Sequence, residues 1–301
     1  MLTKTIAILM MSTVLASAAA AQTPAAVTEY VDVNGDKAYI PAGFRVSDRE
    51  GERVIREGLV VLGPDDSEFV WIPTGSTPLR QRDFHCDFYG HSISGYQDET
   101  GLRTYQAMKK SVDRYGGFYM GRYEASYGGG SSSADYYPAS KRVDSKHPGR
   151  IWVRFSPQDA TKACENLYKD NPTVQGFFPW GANWDTMLQW LIDSGAKTVW
   201  EITSDSSGWG NYSDNRFAPG ASARYTGVYE QTKANNIYDL AGNNWEWTQE
   251  RYSSSYVMRG GGSTLMGDGC PGSRYPAALR DPLPGNDHHP NVTFRVALYL
   301  I

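Results

Sequence analysis

Short apolar runs separated by turn residues dominate the first part of the chain. Between residues 30 and 73, runs rich in β-branched and aromatic residues lie at 38–40, 59–62 and 69–72, and Pro-Ala-Gly and Gly-Pro-Asp-Asp turns interrupt them. Such runs are typical of short strands that follow one another. A similar run at 118–124 predicts another strand. This part of the chain is therefore predicted to be rich in β-structure.

A helix is predicted to begin after Ser156. Ser156 is a suitable N-cap residue, Pro157 stands at the first helical position, and Asp159 adds an acidic third residue. The apolar residues that follow recur at helical spacing, so one face of this helix should point into the core. These residues are Ala160, Ala163, Cys164 and Leu167.

A second helix is predicted to begin at Asn183 and to end at Gly195, which suits a left-handed C-terminal position. The next long stretch, from Ser204 to Asn236, has little periodicity and much Gly, Ser, Asn and Tyr. Long loops inside a compact domain usually have a functional or metal-stabilised reason to exist. Short strands, two main helices and a large irregular portion together predict an α+β domain with small twisted sheets.

The first residues have the pattern of a secretion signal. An apolar run at 5–16 follows a basic residue, and three alanines at 19–21 supply the small residues that a signal peptidase requires before Gln22. The run is shorter than the roughly 20 apolar residues that span a bilayer. We therefore predict a secreted or periplasmic protein without a membrane span. Its predicted parts are a signal peptide at 1–21, a β-rich segment at 22–73 packed on or preceding the core, and the main domain at 74–301.

Charge and cysteine content narrow the function further. The 301 residues include 29 Lys and Arg against 33 Asp and Glu, a formal net charge of −4. No basic field is available to release counterions from a nucleic acid, so we expect no nucleic-acid partner. Three cysteines, Cys86, Cys164 and Cys270, allow at most one disulfide, so stability must come from the core.

The stretch at 236–248, Asn-Ile-Tyr-Asp-Leu-Ala-Gly-Asn-Asn-Trp-Glu-Trp-Thr, resembles the signature of the formylglycine-generating enzyme family, the sulfatase-modifying factor domain. The resemblance covers residues 69–301 and implies a variant of the C-type lectin fold, with a small twisted sheet, two helices and much irregular loop. Other motifs of that family follow in order: a strand with a glutamate at 119–126, helical segments at 147–167 and 178–195, Arg-Gly-Gly-Gly-Ser at 259–263, Arg-Tyr at 274–275, Arg280, and Phe-Arg-Val at 294–296.

The resemblance implies a structural calcium ion in the signature loop. Its ligands would be the side chains of Asp239 and Glu246 and the backbone carbonyls of Gly242 and Asn244. Two carboxylates and carbonyls from a tight glycine turn are the hard oxygen ligands that calcium prefers. The alternative is that the two carboxylates cap turns while the neighbouring tryptophans fill the core.

The enzymes of this family hold copper with two cysteines that lie five residues apart after the Gly-Gly-Ser turn, and thiolates suit Cu(I). In this chain Leu265 or Met266 stands at the first position, and only Cys270 lies near the second. The pair is incomplete, so copper is not expected and no catalytic residue is assigned. Cys270 fits a loop thiol or a disulfide partner of Cys86 better than a catalyst.

The tail from Gly260 to Ile301 also resembles the variable region of proteins diversified by retroelements, which place changeable residues on loops of this fold. An Arg-Gly-Gly-Gly-Ser start and a Phe-Arg-Val-Ala-Leu-Tyr end would form the constant frame. A rigid scaffold would preorganise such loops for binding. The candidate ligand-binding residues are Thr264, Met266, Asp268, Cys270, Leu283, Asn286, Asp287, His288 and His289.

Two functions follow from these observations. The first is a secreted protein that binds a protein or glycan ligand at a surface through its C-terminal loops. The second is an oxidoreductase of the formylglycine-generating, sulfatase-activating family that acts on a protein cysteine, and Cys270, Arg274, Tyr275 and Arg280 favour it. We favour the binding protein, because the frame of the domain is intact while one copper cysteine is missing.

Overall fold

The computed structural model describes residues 26–85, 93–127, 143–146, 149–212, 225–265, 268–269, 275–285 and 288–301. The predicted signal peptide and Cys86 lie outside the described residues. The same holds for the candidate ligand-binding residues Met266, Cys270, Asn286 and Asp287.

A six-stranded antiparallel sheet lies at the centre of the fold. Its strands are β3 (Arg45–Val46), β4 (Val60–Leu62), β5 (Glu68–Pro73), β7 (Gly117–Gly121), β11 (Val174–Phe177) and β21 (Ala297–Leu300). They lie side by side in the order β11-β21-β7-β5-β4-β3. Every residue of β4 and all but the last of β5 are buried, as expected for runs that are nearly all apolar. The segment at 45–73 therefore contributes three strands to the core sheet.

A five-stranded sheet carries the signature stretch and the C-terminal segment. Its strands are β6 (Tyr96–Gln97), β15 (Trp245–Tyr252), β16 (Ser255–Arg259), β19 (Arg280–Leu283) and β20 (Val292–Phe294). The order is β19-β16-β15-β20, and β6 pairs with the end of β15. β20 is parallel to β15, and the other pairs are antiparallel.

The remaining described strands form two-stranded pairs at the periphery. These pairs are β1 (Thr28–Val31) with β2 (Lys37–Ile40), β8 (Ser126–Tyr127) with β9 (Val143–Asp144), β10 (Gly149–Arg150) with β12 (Tyr225–Thr226), β13 (Lys233–Ala234) with β14 (Ile237–Tyr238), and β17 (Thr264–Leu265) with β18 (Asp268–Gly269). Two short 3-10 helices lie at Ile55–Glu57 and Glu230–Thr232.

Both predicted helices are present. α2 (Pro157–Asn166) begins after Ser156, whose hydroxyl accepts a hydrogen bond from the Asp159 N–H at 3.2 Å in a capping box. α3 (Gly181–Asp193) begins before the predicted Asn183. The Asn183 side chain accepts from the Trp180 N–H at 3.1 Å, so it serves the N-terminus from the third helical position.

Two further helices, α1 (Arg103–Tyr115) and α4 (Val199–Thr203), add to the two predicted ones. α1 buries Tyr105, Met108 and Val112 at helical spacing. Its N-cap residue is Leu102, which has no side chain that could cap, so the sequence lacks the usual start signal. α3 packs against β5 and β15 and thereby joins the two sheets.

Helices and mainly antiparallel sheets within one fold confirm the predicted α+β class. The described residues contain no helix of the length and apolar character that crossing a membrane would require.

Candidate functional site

The signature loop holds Asp239 in a buried turn. Asp239 is 2% exposed and has a φ of 58°, in the left-handed region. One carboxylate oxygen accepts hydrogen bonds from the Gly227 N–H at 2.7 Å and the Thr226 hydroxyl at 3.0 Å. The other accepts from the Thr232 hydroxyl at 2.7 Å. The carboxylate therefore fastens the segment at 226–232 to the signature loop.

Glu246, on β15, forms a bidentate ion pair with Arg295. The guanidinium donates to the two carboxylate oxygens through Nη2 at 2.6 Å and Nε at 3.1 Å. It also donates to the backbone carbonyls of Gly121 at 3.0 Å and Tyr238 at 2.9 Å. Because these acceptors belong to β15, β7 and β14, Arg295 ties the central sheet, the signature loop and β15 together.

Glu124 and Asn243 also belong to this site, although the sequence motifs indicated no role for them. The Glu124 carboxylate accepts from the Asn244 N–H at 3.1 Å and from the side-chain amide of Asn243. The Asn243 side chain in turn accepts from Asn211 at 3.0 Å, and its backbone carbonyl accepts from the Ser263 N–H at 2.9 Å. Asn243 therefore links the signature loop to the start of the C-terminal segment.

We call Glu124, Asp239, Glu246 and Arg295 the acidic cluster, because three carboxyl groups there share one guanidinium among the described residues. Burial raises the pKa of Glu124 well above its usual range, and repulsion from the other two carboxylates adds to this. Burial also raises the pKa of Asp239 despite its three hydrogen bonds, and that of Glu246 despite Arg295. The cluster carries more negative charge than its one cation neutralises.

The side chains as placed do not fit the calcium ion that the family resemblance implies. Both oxygens of Glu246 face Arg295, and both oxygens of Asp239 face donors at 226–232. Calcium needs carboxylate oxygens that converge on one point. Across the residues that the structure describes, no three His, Cys, Asp or Glu side chains are grouped to hold a metal. Calcium binding by Asp239, Gly242, Asn244 and Glu246 stays a prediction.

The glycine turn of the signature loop is required by close packing. Gly242 has a φ of 74°, and a Cβ atom there would lie 2.4 Å from the Asn211 carbonyl oxygen. Its N–H donates to the Gly260 carbonyl at 2.8 Å. Larger residues would force the two backbones apart, so the turn fixes where the C-terminal segment begins.

A second buried ionic cluster consists of Asp185, Glu250, Arg259 and Arg280, and we call it the balanced cluster. Arg259 contacts Asp185 at 2.5 Å and Glu250 at 2.8 Å. Arg280 contacts Glu250 at 2.7 Å and also pairs with Asp185. Arg259 ends β16 and Arg280 begins β19, opposite each other in register. The cluster therefore clamps both ends of the segment at 260–279 to α3 and β15.

Asp98 lies beside the balanced cluster. Its two oxygens accept hydrogen bonds from the backbone N–H groups of Gly181 at 2.9 Å and Ala182 at 2.8 Å, at the start of α3. Burial raises the pKa of Asp98 to about 7, and repulsion from Glu250 adds to this. Within the described part of the chain Asp98 forms no salt bridge, so the helix N-terminus is its main source of positive potential.

Both ends of the loop at 260–279 and the C-terminal end of the loop at 284–291 lie near Trp245. Its backbone N–H donates to the Asn291 carbonyl at 3.2 Å, and its ring packs edge-on against Tyr275 with the ring centres 5.7 Å apart. Gly262 passes so close that a Cβ atom there would lie 2.8 Å from the indole. Because Gly262 and Tyr275 belong to the first loop and Asn291 ends the second, the first loop and the C-terminal end of the second lie at the same end of the sheet.

The structure describes five of the nine candidate ligand-binding residues. Thr264 and Asp268 lie on the paired strands β17 and β18. His288 is exposed, and His289 is half-buried with Nδ1 accepting from the Asn291 N–H at 3.2 Å. Leu283 instead pairs with Tyr256, at the end of β19 that lies away from Arg280. The structure therefore separates Leu283 from the loop ends that meet at Trp245.

The cysteine that the structure describes takes no part in this site. Cys164 lies on α2, is fully buried and is free. Burial raises the pKa of its thiol well above the usual range, which disfavours the thiolate that metals and substrates require. Cys86 and Cys270 lie outside the described residues.

Residues 175–300 match the family model of the sulfatase-modifying factor enzyme 1-like domain. The match confirms, over these residues, the resemblance drawn from the motifs. The matched residues contain the signature loop, the balanced cluster and both C-terminal loops. No curated protein matches the chain.

Three solved structures are similar to the chain. The crystal structure of CarF is 16% identical over 62% of this chain and 87% of its own, with a TM-score of 0.41. The structure of PvdO from Pseudomonas aeruginosa is 15% identical over 80% of this chain and 98% of its own, with a TM-score of 0.44. Treponema denticola variable protein 1 is 13% identical over 90% of this chain and 98% of its own, with a TM-score of 0.30. At these values the similarities carry no argument about function.

Proposed function

We propose that this protein is a secreted or periplasmic binding protein that holds a protein or glycan ligand with its C-terminal loops. We define the recognition loops as 260–279 and 284–291. The scaffold is a sulfatase-modifying-factor-like domain whose copper-binding cysteine pair is incomplete. The apolar run at 5–16 and the alanines at 19–21 support export from the cytoplasm.

The observation that carries the proposal is the buried frame around the recognition loops. The balanced cluster clamps the residues on either side of the first loop, and Trp245 contacts both loops. The Tyr212 hydroxyl also lies 2.6 Å from the Tyr275 carbonyl oxygen and 3.1 Å from that of Gly260, and so holds the first loop near both ends. Loops with anchored ends lose less entropy when they bind a ligand.

The frame also bears on the alternative function. Arg280 is one reason to consider an oxidoreductase, but it is 5% exposed and its guanidinium is engaged by Asp185 and Glu250. Tyr275 packs its ring on Trp245. Both residues therefore have structural partners that account for their presence without a reaction. The oxidoreductase then depends on Cys270 and Arg274, which lie outside the described residues.

Binding by the loops is tested on arrays of extracellular proteins and glycans. Purified protein without residues 1–21 is compared with a variant that carries Asp268→Ala and His288→Ala, and with Asp48→Asn, an exposed position far from the loops in sequence. We expect the loop variant to lose at least about tenfold in affinity for the ligand found, and the control to lose less than about twofold. Equal affinity of all three proteins would contradict the proposal.

The oxidoreductase is tested by titrating Cu(I) in the presence of a cysteine-containing peptide. We expect no stoichiometric copper binding that depends on Cys270, because one thiolate alone is a poor Cu(I) site. Cys164→Ala serves as the matched control, since that thiol is buried in α2. Stoichiometric copper binding that is lost in Cys270→Ser, together with oxidation of the peptide thiol, would establish the enzyme instead.

A further inference from the structure

A long groove lies between the first hairpin and the C-terminal ends of α1 and α3. It consists of two adjoining cavities of about 680 Å³ and 520 Å³, and both are lined by Asp36, Arg56 and Ser194. Each volume lies in the range of small-molecule sites. Among the residues that the structure describes, none in the recognition loops lines either cavity. The groove is therefore a separate feature of the molecule.

The walls of the groove are fastened to one another. The Tyr119 hydroxyl donates to the Tyr39 carbonyl at 2.8 Å, which holds β2 on the central sheet. The Thr77 hydroxyl donates to Asp193 at 2.5 Å, which holds the segment after β5 on the end of α3. The Asn235 side chain donates to the Arg56 carbonyl at 3.0 Å. A groove with fixed walls requires little ordering when a ligand enters.

The lining of the larger cavity is polar, aromatic and balanced in charge. Its charged lining residues are the carboxylates of Asp36, Asp113 and Asp193 and the cations of Lys37, Arg56 and Arg114. Two of these form ion pairs outside the lining, Lys37 with Glu29 and Asp113 with Lys109. In the described part of the chain, neither Asp36 nor Arg114 forms an ion pair, so both retain hydrogen-bonding capacity for a ligand. Carboxylates only accept hydrogen bonds and guanidinium groups only donate them. The groove thus offers both donors and acceptors to a ligand, with Glu57 in the smaller cavity adding one more carboxylate.

Aromatic side chains complete the lining. Tyr39 and Tyr115 meet edge to face with ring centres 5.3 Å apart, and Trp190, 4% exposed, lines the same cavity from α3. The two half-buried tyrosine rings offer apolar surface beside polar groups, while the nearly fully buried Trp190 packs beneath the lining. A ligand that matches this polar and aromatic lining has hydroxyl groups that both donate and accept hydrogen bonds, and apolar C–H faces that pack on the rings. Polyols of the carbohydrate type have this chemistry.

We propose that the groove binds a neutral oligosaccharide of several units. Two adjoining cavities that share three lining residues suit an extended ligand better than a single sugar ring. Across both cavities a polyanion would meet four carboxylates and a polycation three cations, so a charged polymer fits less well. An extended peptide that pairs with β2 would need its backbone groups, but the Tyr39 carbonyl is already engaged by Tyr119.

The test is an array of neutral and acidic oligosaccharides built from glucose, galactose, mannose and N-acetylglucosamine, followed by calorimetry with the best neutral tetrasaccharide. Asp36→Asn and Arg114→Gln remove one acceptor and one donor from the lining. We expect each to weaken binding about tenfold, which corresponds to the loss of one good hydrogen bond to a charged group. Asp48→Asn, exposed and outside the groove, is the matched control and should bind like the wild type.

Three results would overturn the groove proposal. These are no binding to any neutral oligosaccharide, binding to acidic ones only, and neutral binding that survives both groove variants. The variant with Asp268→Ala and His288→Ala separates this site from the recognition loops, because it should leave the groove ligand unaffected. Loss of neutral oligosaccharide binding in that loop variant alone would place the ligand on the loops and not in the groove.

Discussion

The two buried ionic clusters both include a carboxylate of β15, but they balance charge in different ways. In the balanced cluster two carboxylates face two guanidinium groups. In the acidic cluster three carboxyl groups share Arg295, and burial raises the pKa values of all three. Burying a charge costs several kcal/mol unless it is paired. The comparison teaches that charge balance, and not the number of contacts, should decide how each cluster responds to mutation, pH and cations.

The comparison is tested most strongly by Arg295→Met. This change removes the guanidinium that neutralises Glu246 and leaves its carboxylate buried without a cation. We expect the free energy of unfolding to fall by about 5 kcal/mol, the upper end for breaking a buried ion pair. Urea unfolding at neutral pH measures the loss. Arg103→Met, at an exposed position on α1, is the control and should change stability by less than about 0.5 kcal/mol.

A second variant keeps this test informative if the single change prevents folding. Arg295→Met combined with Glu246→Gln removes both charges, so the uncompensated carboxylate is gone. We expect the double variant to be more stable than Arg295→Met alone. Equal instability of the two variants would show that lost packing and backbone contacts, and not charge, account for the effect of Arg295.

Arg259→Met should cost less, about 3 kcal/mol, because Arg280 still contacts both carboxylates of the balanced cluster. The same urea unfolding experiment and the same Arg103→Met control apply. If Arg259→Met destabilised the protein as much as Arg295→Met, the difference in charge balance between the clusters would not govern their stability.

Asp98→Asn tests the pH response of the carboxyl group beside the balanced cluster. The pKa of Asp98 is raised from an ordinary value of 3.8 to about 7, so the folded state binds this proton more tightly than the unfolded state. Stability from this group is therefore present below about pH 4 and is lost as the pH rises through 7. Relative to Asp98→Asn, the wild type should lose about 3 kcal/mol of stability between these limits, because a difference of one pKa unit corresponds to about 1.4 kcal/mol.

The measurement is urea unfolding of the wild type and Asp98→Asn at a series of pH values. Asp48→Asn controls for the removal of an exposed carboxylate. A stability difference between the wild type and Asp98→Asn that stays constant with pH would mean that the Asp98 carboxyl titrates at the same pH in the folded and unfolded states.

Short sequence motifs predicted the features that depend only on neighbouring residues, such as helix caps and tight turns. The cap at Ser156 located α2, and the signature motif located the turn at Gly242. Leu102 gave no such signal for α1. Glu246 finds its partner 49 residues away in Arg295, and Arg259 finds Asp185 74 residues away. Such pairings depend on how the sheets and α3 assemble, so the motif could name the carboxylates but not what neutralises them.

Added calcium should have the smallest effect on stability. It tests whether the acidic cluster, which has more carboxyl groups than cations, accepts a further cation. Arg295 already supplies positive charge to Glu246, and the oxygens of Asp239 already accept three hydrogen bonds. We therefore expect millimolar calcium, compared with a chelator, to move the melting midpoint by less than about 1 °C, well under the shift from a ligand at saturation. Asp239→Ala is the matched variant. A rise of several degrees in the wild type that disappears in Asp239→Ala would show that the acidic cluster opens to accept calcium, and that Arg295 does not take the place of the ion.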